Sequence, residues 1–388
     1  MSKNLYQFRI GGQNKVSADT SKAPGKISAV KAEPRILTVG MHLTKTRGGI
    51  TTLIAEILKS PLKNEFEFVY IESQAEDFGG FRKLLLAMQA VFKFIRICLF
   101  TRIDTVYVHL GSNASLYRES VFIFLAKIFR KKVVAHFHAG DIDNYYPFQS
   151  RIGRQYIRAA IRASDIIIAV SNESARQLRE ITDAPHIAVV PNAIDVSAFN
   201  HSPEKRCDDG AVRLLFVGAV GKLKGERDLL KALAILRVDK SNLKVSLLGY
   251  GAENLQSYCE QLKIENYIEF AGAVSMDERI GYFHAADIFV LPTYAEAMPM
   301  SVIEAMAAGL PVISTTVGGI PEMIADGTDG FLIAPGDVNA LAEKISFLIE
   351  NENVRLEVGK RARKKAVEQM DFRQYADKLR VHLLNHHK

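Results

Sequence analysis

The sequence predicts an α/β protein of two similar domains, each a parallel sheet with crossover helices. Three observations predict it. The 388 residues, 48% hydrophobic and 24% charged, suffice for two cores of common domain size. Twelve short β-branched runs alternate with stretches long enough for a helix, the spacing that parallel strands need. They fall into two sets of six around residues 191–210, where Pro, Asn, Asp and Ser replace apolar residues as in an interdomain linker.

In chain order, residues 1–33 carry Gly11-Gly12, Pro24-Gly25 and only two aromatics, Tyr6 and Phe8, and are read as a poorly ordered leader. No apolar h-region follows Met1 and no run of about 18 apolar residues occurs, so neither a signal peptide nor a spanning helix is expected. Strands are predicted at 36–39, 66–71, 105–108, 133–137, 166–170 and 187–190. After the linker they are predicted at 214–217, 244–248, 268–271, 288–291, 311–314 and 330–333. Open sheets take ligands beyond the carboxyl ends of their strands, so the loops there are where chemistry is sought.

Cys98, Cys207 and Cys259 are odd in number and widely spaced, which suits a reducing compartment and fits neither a disulfide framework nor a zinc site. The chain reads as cytoplasmic. Its net charge of +7 is uneven: residues 1–191 carry +11 and residues 192–388 carry −4. The basic half suits an anionic partner, whether nucleic acid, a membrane surface or a phosphorylated small molecule, and charge alone does not choose.

The sharpest motif pairs Glu296 with Glu304 in a Glu-x7-Glu spacing. Pro299 suits the first turn of a helix, Gly309 its stop, and Pro311 cannot continue it. Glu296 is therefore placed in the loop and Glu304 on the helix; on one helix the two would point roughly 80° apart at about 100° per residue. The loop placement lets both carboxylates face one pocket. Free amides at Met300, Ser301 and Val302 would make an anion site at the helix N-terminus. A phosphate flanked by two hydroxyl-binding carboxylates describes a nucleotide sugar. Other loops follow other strands: Gly218 to Glu226 with Lys222 and Lys224, Lys45 to Thr52 with Gly48-Gly49, and His136-Phe137-His138-Ala139-Gly140-Asp141. Strand alternation puts His136 and His138 on one side, His138 nearer the carboxyl end.

In this strand-loop-helix-strand setting the Glu-x7-Glu motif resembles the donor site of retaining glycosyltransferases of family 4, and the likeness runs over nearly the whole chain from about Arg35. It implies a GT-B fold, two Rossmann-like α/β domains facing across a cleft. By the resemblance, 34–195 is the acceptor domain, 196–366 the nucleotide-sugar donor domain, and 367–388 a helix crossing back to the first. It implies that Glu304 holds the donor ribose, that Glu296 and His138 contact the donor sugar, and that Lys224 neutralises the diphosphate as charge develops on it. It places Gly48 and Gly49 across the donor phosphates. Ala219 stands where the family has an arginine; Lys222 or Arg47 is the candidate substitute. Asn192-Ala193 at the hinge, Gly249-Tyr250-Gly251 and Gly318-Gly319-Ile320-Pro321-Glu322 agree with the family, whose hinge usually reads Asn-Gly. Asp141-Ile142-Asp143 spells Asp-x-Asp, a metal motif of the other large glycosyltransferase fold, but it is far along the chain from the donor loops. No metal and no cofactor are expected.

Two basic stripes remain. Arg151, Arg154, Arg158 and Arg162 share one helical face, and Arg82, Lys93 and Arg96 line the apolar segment 81–100. Such helices suit an anionic membrane interface and a lipid-linked acceptor, or a crossover helix with one wet edge. The expected activity is metal-independent transfer, with retention, of a sugar from a nucleotide diphosphate to a glycan or lipid-linked glycan, in cell-surface polysaccharide assembly. The rivals are a nucleotide-sugar epimerase and a catalytically weak binding subunit. Nucleic acid explains the basic half but not the motifs of the acidic half, and no stacking platform for RNA is present.

Overall fold

The computed structural model describes residues 33–43, 48–74, 80–112, 114–140, 142–184, 186–200, 210–221, 223–238 and 241–384. The expected leader, except Glu33, lies outside them, as do Lys45, Arg47, Asp141, Cys207 and Lys222. Residues 34–388 form one compact unit.

All twelve expected runs are strands. β1 (Arg35–Met41), β2 (Glu67–Gln74), β3 (Thr105–Leu110), β4 (Lys132–Phe137), β5 (Ile166–Ala169) and β6 (Ile187–Val189) form a parallel sheet in the order β2-β1-β3-β4-β5-β6. Its helices are α1 (Gly49–Lys59), α2 (Gly80–Phe100), α3 (Ala114–Ile128), α4 (Ile142–Tyr145), α5 (Arg151–Ala163) and α6 (Asn172–Ile181). The second sheet holds β7 (Val212–Val217), β8 (Leu243–Leu248), β9 (Ile268–Gly272), β10 (Ile288–Leu291), β11 (Val312–Thr315) and β12 (Phe331–Ile333), also parallel, in the order β12-β11-β10-β7-β8-β9. With it go α7 (Glu226–Ile235), α8 (Gln256–Leu262), α9 (Met276–Ala285), α10 (Met300–Ala307), α11 (Ile320–Met323), α12 (Val338–Glu350), α13 (Glu352–Gln369) and α14 (Phe372–Leu384). Central strands such as β3, β5 and β10 are buried at every position, because helices cover both faces of such sheets.

Strand order reverses between β1 and β3 in the first sheet and between β7 and β10 in the second. Loops leaving neighbouring strands part at such points and open a crevice.

The linker is more structured than expected. Its stretch 191–200 carries a 3-10 turn at Val196–Phe199 whose end residues are buried in the second core. The chain returns beside it: Ile194 bridges Asp371, and Phe372 donates to the Ile194 carbonyl at 2.8 Å. The return helix starts at Phe372, beyond a break after α13. Phe372, Tyr375, Leu379 and Leu383 of α14 pack with Ile36, Tyr107, Val134 and Ile168 of the first sheet in one cluster. Among the described residues no helix is long and apolar enough to cross a membrane.

Candidate functional site

The β7–β10 switch point brings together the loops after those two strands. Tyr294 N–H and Thr293 Oγ1 both donate to the Leu223 carbonyl at 2.7 Å, tying the loops side by side. This sets Lys224 against Glu296, whose Oε1 accepts from Lys224 Nζ. Gly221 N–H donates to the buried carboxylate of Glu226 at 3.1 Å, which fixes the turn around Lys224. Ala219 is exposed on the same loop.

Helix α10 begins where expected, with a small correction. Pro299 is its N-cap rather than part of its first turn, and Val302 N–H donates to the Pro299 carbonyl at 3.2 Å. A tight first turn thus occupies the Val302 amide, leaving those of Met300 and Ser301 for a ligand. The helix stops at Gly309: Gly309 N–H meets the Met306 carbonyl at 3.0 Å and Leu310 N–H the Ala305 carbonyl at 3.0 Å. That pairing is a Schellman motif, and Gly309 at φ 74° takes its left-handed position.

Glu304 is 0% exposed. Its Oε2 accepts from Arg279 of α9, while Oε1 is buried without a partner. Burial holds its pKa above the usual carboxylate range, and Arg279 opposes the rise. Of the two motif carboxylates only Glu296 therefore stands partly open; Glu304 is sealed, and Arg279 supplies the cation that a sealed carboxylate needs.

The first-domain loops close on this site from the other side. A Cβ on Gly140 would lie 2.1 Å from Ala297 N, so glycine alone allows the His138-Ala139-Gly140 loop to press on the backbone that carries Glu296. Glu322 reaches across to the start of α6, accepting Asn172 N–H and Glu173 N–H at 2.9 Å. Asn192 Nδ2 donates to the Met298 carbonyl at 2.8 Å. Gly49, first residue of α1, lies against Met300, first residue of α10: a Cβ there would be 2.8 Å from Met300 Cγ. Gly48 caps α1 in an extended conformation and is exposed.

His138 is part of a stack. Strand register sets His109 of β3 opposite His136 of β4. The His136 and His138 rings lie 4.1 Å apart at 29°, and His109 Nδ1 is 3.0 Å from His138 Nε2. Tyr107 Oη pairs with His136 Nδ1 at 2.6 Å. His109 Nε2 is buried without a partner, and a bare lone pair there costs less than an orphaned N–H. This assigns the proton to His109 Nδ1, which donates to His138 Nε2 and leaves His138 Nδ1–H as donor. Burial lowers the His138 pKa to about 3, and burial and neighbouring imidazoles hold His109 and His136 well below the usual histidine range. Donor nitrogens of the three lie within 4.8 Å of one another, the spacing of a metal triad. In near-parallel rings, however, lone pairs run side by side or into a hydrogen bond rather than toward one centre.

The basic stripes differ from each other. On α5, Arg151 is free to solvent, but Arg158 Nε donates to the Ile181 carbonyl at 2.8 Å, Arg162 pairs with Asp183 at 2.5 Å, and Arg154 leans on the Pro147 carbonyl at 3.4 Å. That stripe largely fastens α5 to its neighbours. On α2, Arg82, Lys93 and Arg96 are exposed, and so is the apolar face beside them: Phe81 is 80%, Met88 61% and Phe92 71% exposed. The reading as a covered crossover helix fails for this face.

Sequence reasoning passed over His109 and Arg279. A partial signal existed for His109, since Tyr107-Val108-His109 repeats the apolar strand ending in histidine seen at 134–136. Nothing near Arg279 in the sequence points to Glu304.

Comparison with known proteins bears on the family and the fold. The family model described as Glycosyltransferase Family 4 matches residues 33–198, and that described as Glycosyl transferases group 1 matches 199–365. A D-inositol 3-phosphate glycosyltransferase of Corynebacterium jeikeium is 29% identical over 242 residues, 57% of this chain and 57% of its own. A putative colanic acid biosynthesis glycosyltransferase, WcaL, of Salmonella typhimurium is 29% identical over 259 residues, 64% of this chain and 63% of its own. The matched segments thus span roughly half to two thirds of these relatives. Among solved structures, Anabaena HepE with UDP and glucose superposes with a TM-score of 0.73 at 19% identity, over 90% of this chain and 99% of that one. Sucrose-phosphate synthase from Thermosynechococcus elongatus gives 0.76 at 17%, over 90% and 98%. With both halves matched in order and two parallel sheets meeting at their switch-point loops, the chain belongs to glycosyltransferase family 4 and has the GT-B fold.

Proposed function

We propose that the chain transfers a sugar, with retention of its anomeric configuration and without a metal, from a nucleotide diphosphate sugar to a glycan or lipid-linked glycan. The observation that carries this reading is the convergence on one switch point of Lys224, Glu296 and the start of α10, with the His138 loop pressed against them. Lys224 and the amides of Met300 and Ser301 take the diphosphate, and Lys222 of the same loop adds charge. His138 Nδ1–H donates to a sugar hydroxyl and Glu296 accepts from another. Glu304 Oε1, a buried acceptor lacking a partner, takes the ribose, so the donor must open the cover over it on binding. As the bond from the anomeric carbon to the diphosphate breaks, the acceptor oxygen attacks the same face and its proton passes to a departing phosphate oxygen. HepE's complex with UDP-glucose and WcaL's description as a putative colanic acid biosynthesis glycosyltransferase support a nucleotide-sugar donor and a role in polysaccharide assembly.

The exposed apolar and basic faces of α2 support peripheral attachment at the cytoplasmic face of a membrane. Sedimentation with phosphatidylglycerol vesicles is expected to pull the protein down, and reversal of charge at Arg82, Lys93 and Arg96 to release it.

The test of the activity is turnover with a panel of nucleotide sugars that includes UDP-glucose, with product configuration read by NMR. Glu296→Gln, Glu304→Gln and Lys224→Ala should each fall at least a hundredfold with folding intact, and EDTA should leave the wild type active. Near-normal turnover in all three, an inverted product, or loss on chelation restored by a divalent metal would contradict the reading.

A further inference from the structure

The first sheet has its own switch point, between β1 and β3, and there a cavity of about 420 Å³ opens whose lining nothing in the donor reading uses. Lys83 and Arg118 line it together with Met41, Ser73, Ser112 and Ile50. Ile50 follows Gly49, the residue in contact with the donor helix α10, so the cavity stands at the cleft. Arg118 is held in a built bracket: its Nε and Nη2 donate to Glu119 Oε1 at 3.0 and 2.9 Å. Glu119, 1% exposed, also accepts from Ser73 Oγ at 2.6 Å and Ser115 Oγ at 3.3 Å. Glu119 offsets part of the Arg118 charge, and Lys83 supplies the excess.

A second cavity of about 380 Å³ adjoins it, because Arg118 lines both. Among the described residues its walls apart from Arg118 are apolar, with Met88, Val91, Phe92 and Ile95 on α2 and Val121 and Phe122 on α3. The two spaces follow the same helix ridges. Lys83, Ala87, Val91 and Ile95 are successive i+4 positions on α2, and Ala114, Arg118 and Phe122 are on α3. From Lys83 to Ile95 the trough runs about 18 Å at about 1.5 Å per residue.

We propose that these cavities are one acceptor site for a lipid with a phosphate or diphosphate head, the head on Lys83 and Arg118 and the start of the apolar chain in the α2–α3 groove. The charge sits where the groove meets the cleft, and the apolar walls continue onto the exposed face of α2, as an amphiphile reached from a bilayer requires. The proposal rests on the transferase reading above and narrows its acceptor to the lipid-linked class.

The experiment is calorimetric titration of the full chain with farnesyl diphosphate, inorganic diphosphate and UDP, for wild type, Lys83→Glu and Met88→Asp. Both substitutions are on exposed positions, and melting temperatures verify folding. Farnesyl diphosphate is expected to bind at least tenfold more tightly than inorganic diphosphate, and each variant to weaken it at least tenfold while UDP binding stays unchanged. Equal affinity for the two diphosphates, or farnesyl diphosphate binding unaltered in both variants, would overturn the proposal. Failure of wild type to bind UDP or any nucleotide sugar would instead strike the donor reading, leaving the lipid result to stand by itself.

Discussion

A carboxylate sealed from water costs several kcal/mol unless a cation shares its burial, and Glu304 meets that condition through Arg279. Arg279→Met is therefore expected to destabilise the fold by about 3 kcal/mol, read as a lowered melting temperature. Glu304→Gln should cost less, since its amide oxygen still accepts from Arg279, yet it should lose donor affinity. Lys224 and Glu296 are the opposite case. Their pair is partly open to solvent, where such pairs contribute about 0–1 kcal/mol, so Lys224→Ala should leave stability almost unchanged while weakening nucleotide-sugar binding more than tenfold. At this scale the sequence was legible where a motif names residue types at fixed spacing, as with Glu296 and Glu304. Their partners were not legible: Arg279 is 25 positions from Glu304, and only the tertiary fold brings the two side chains together. His109 meets His138 through strand register, which a single sequence does not state.

At the scale of elements, two glycines separate stability from function. Gly309→Ala places a side chain in a left-handed cap with room around it, the nearest atoms being 3.8 Å from a Cβ. A loss of about 1 kcal/mol in stability is expected, with transfer rates near wild type. Gly140→Ala would set a Cβ 2.1 Å from Ala297 N. It is expected to push the Glu296 loop away from His138 and cut turnover at least tenfold. Strand positions were readable because β-branched runs of the right length have few alternatives, and the α10 stop because Gly309 and Pro311 punctuate it. The exposed face of α2 was not, since periodicity counts apolar residues without saying what covers them: Phe92 and Phe94 look alike in the sequence, and only Phe94 is buried.

For the whole molecule, the excess of +11 in residues 1–191 against −4 in the remainder has a place in the fold. The basic half contains the exposed basic stripe of α2 and the Lys83–Arg118 cavity, while the acidic half meets its proposed anion through local amides and Lys224. Acid should weaken the fold through its imidazole stack. The pKa values of His109, His136 and His138 are depressed in the folded state, so the unfolded chain binds protons that the folded chain refuses. That stability is complete above the ordinary histidine range and is lost progressively below it, for His138 down to its folded value of about 3; its cost at pH 5 is about 2 kcal/mol, at about 1.4 kcal/mol per pH unit. Glu119 and Glu304, raised by burial, act in the opposite sense and temper the fall. The melting temperature should drop between pH 7 and pH 5, less steeply in His109→Asn. The central claim is that the β7–β10 switch point holds a nucleotide diphosphate sugar. The direct measurement is the melting temperature of wild type, Glu304→Gln, Lys224→Ala and Lys83→Glu with a panel of such donors. A donor at a hundredfold excess over its wild-type Kd should stabilise wild type and Lys83→Glu by about 2.7 kcal/mol and the other two by about 1.4 kcal/mol or less. No shift with any donor, or an equal shift in all four proteins, would contradict the claim.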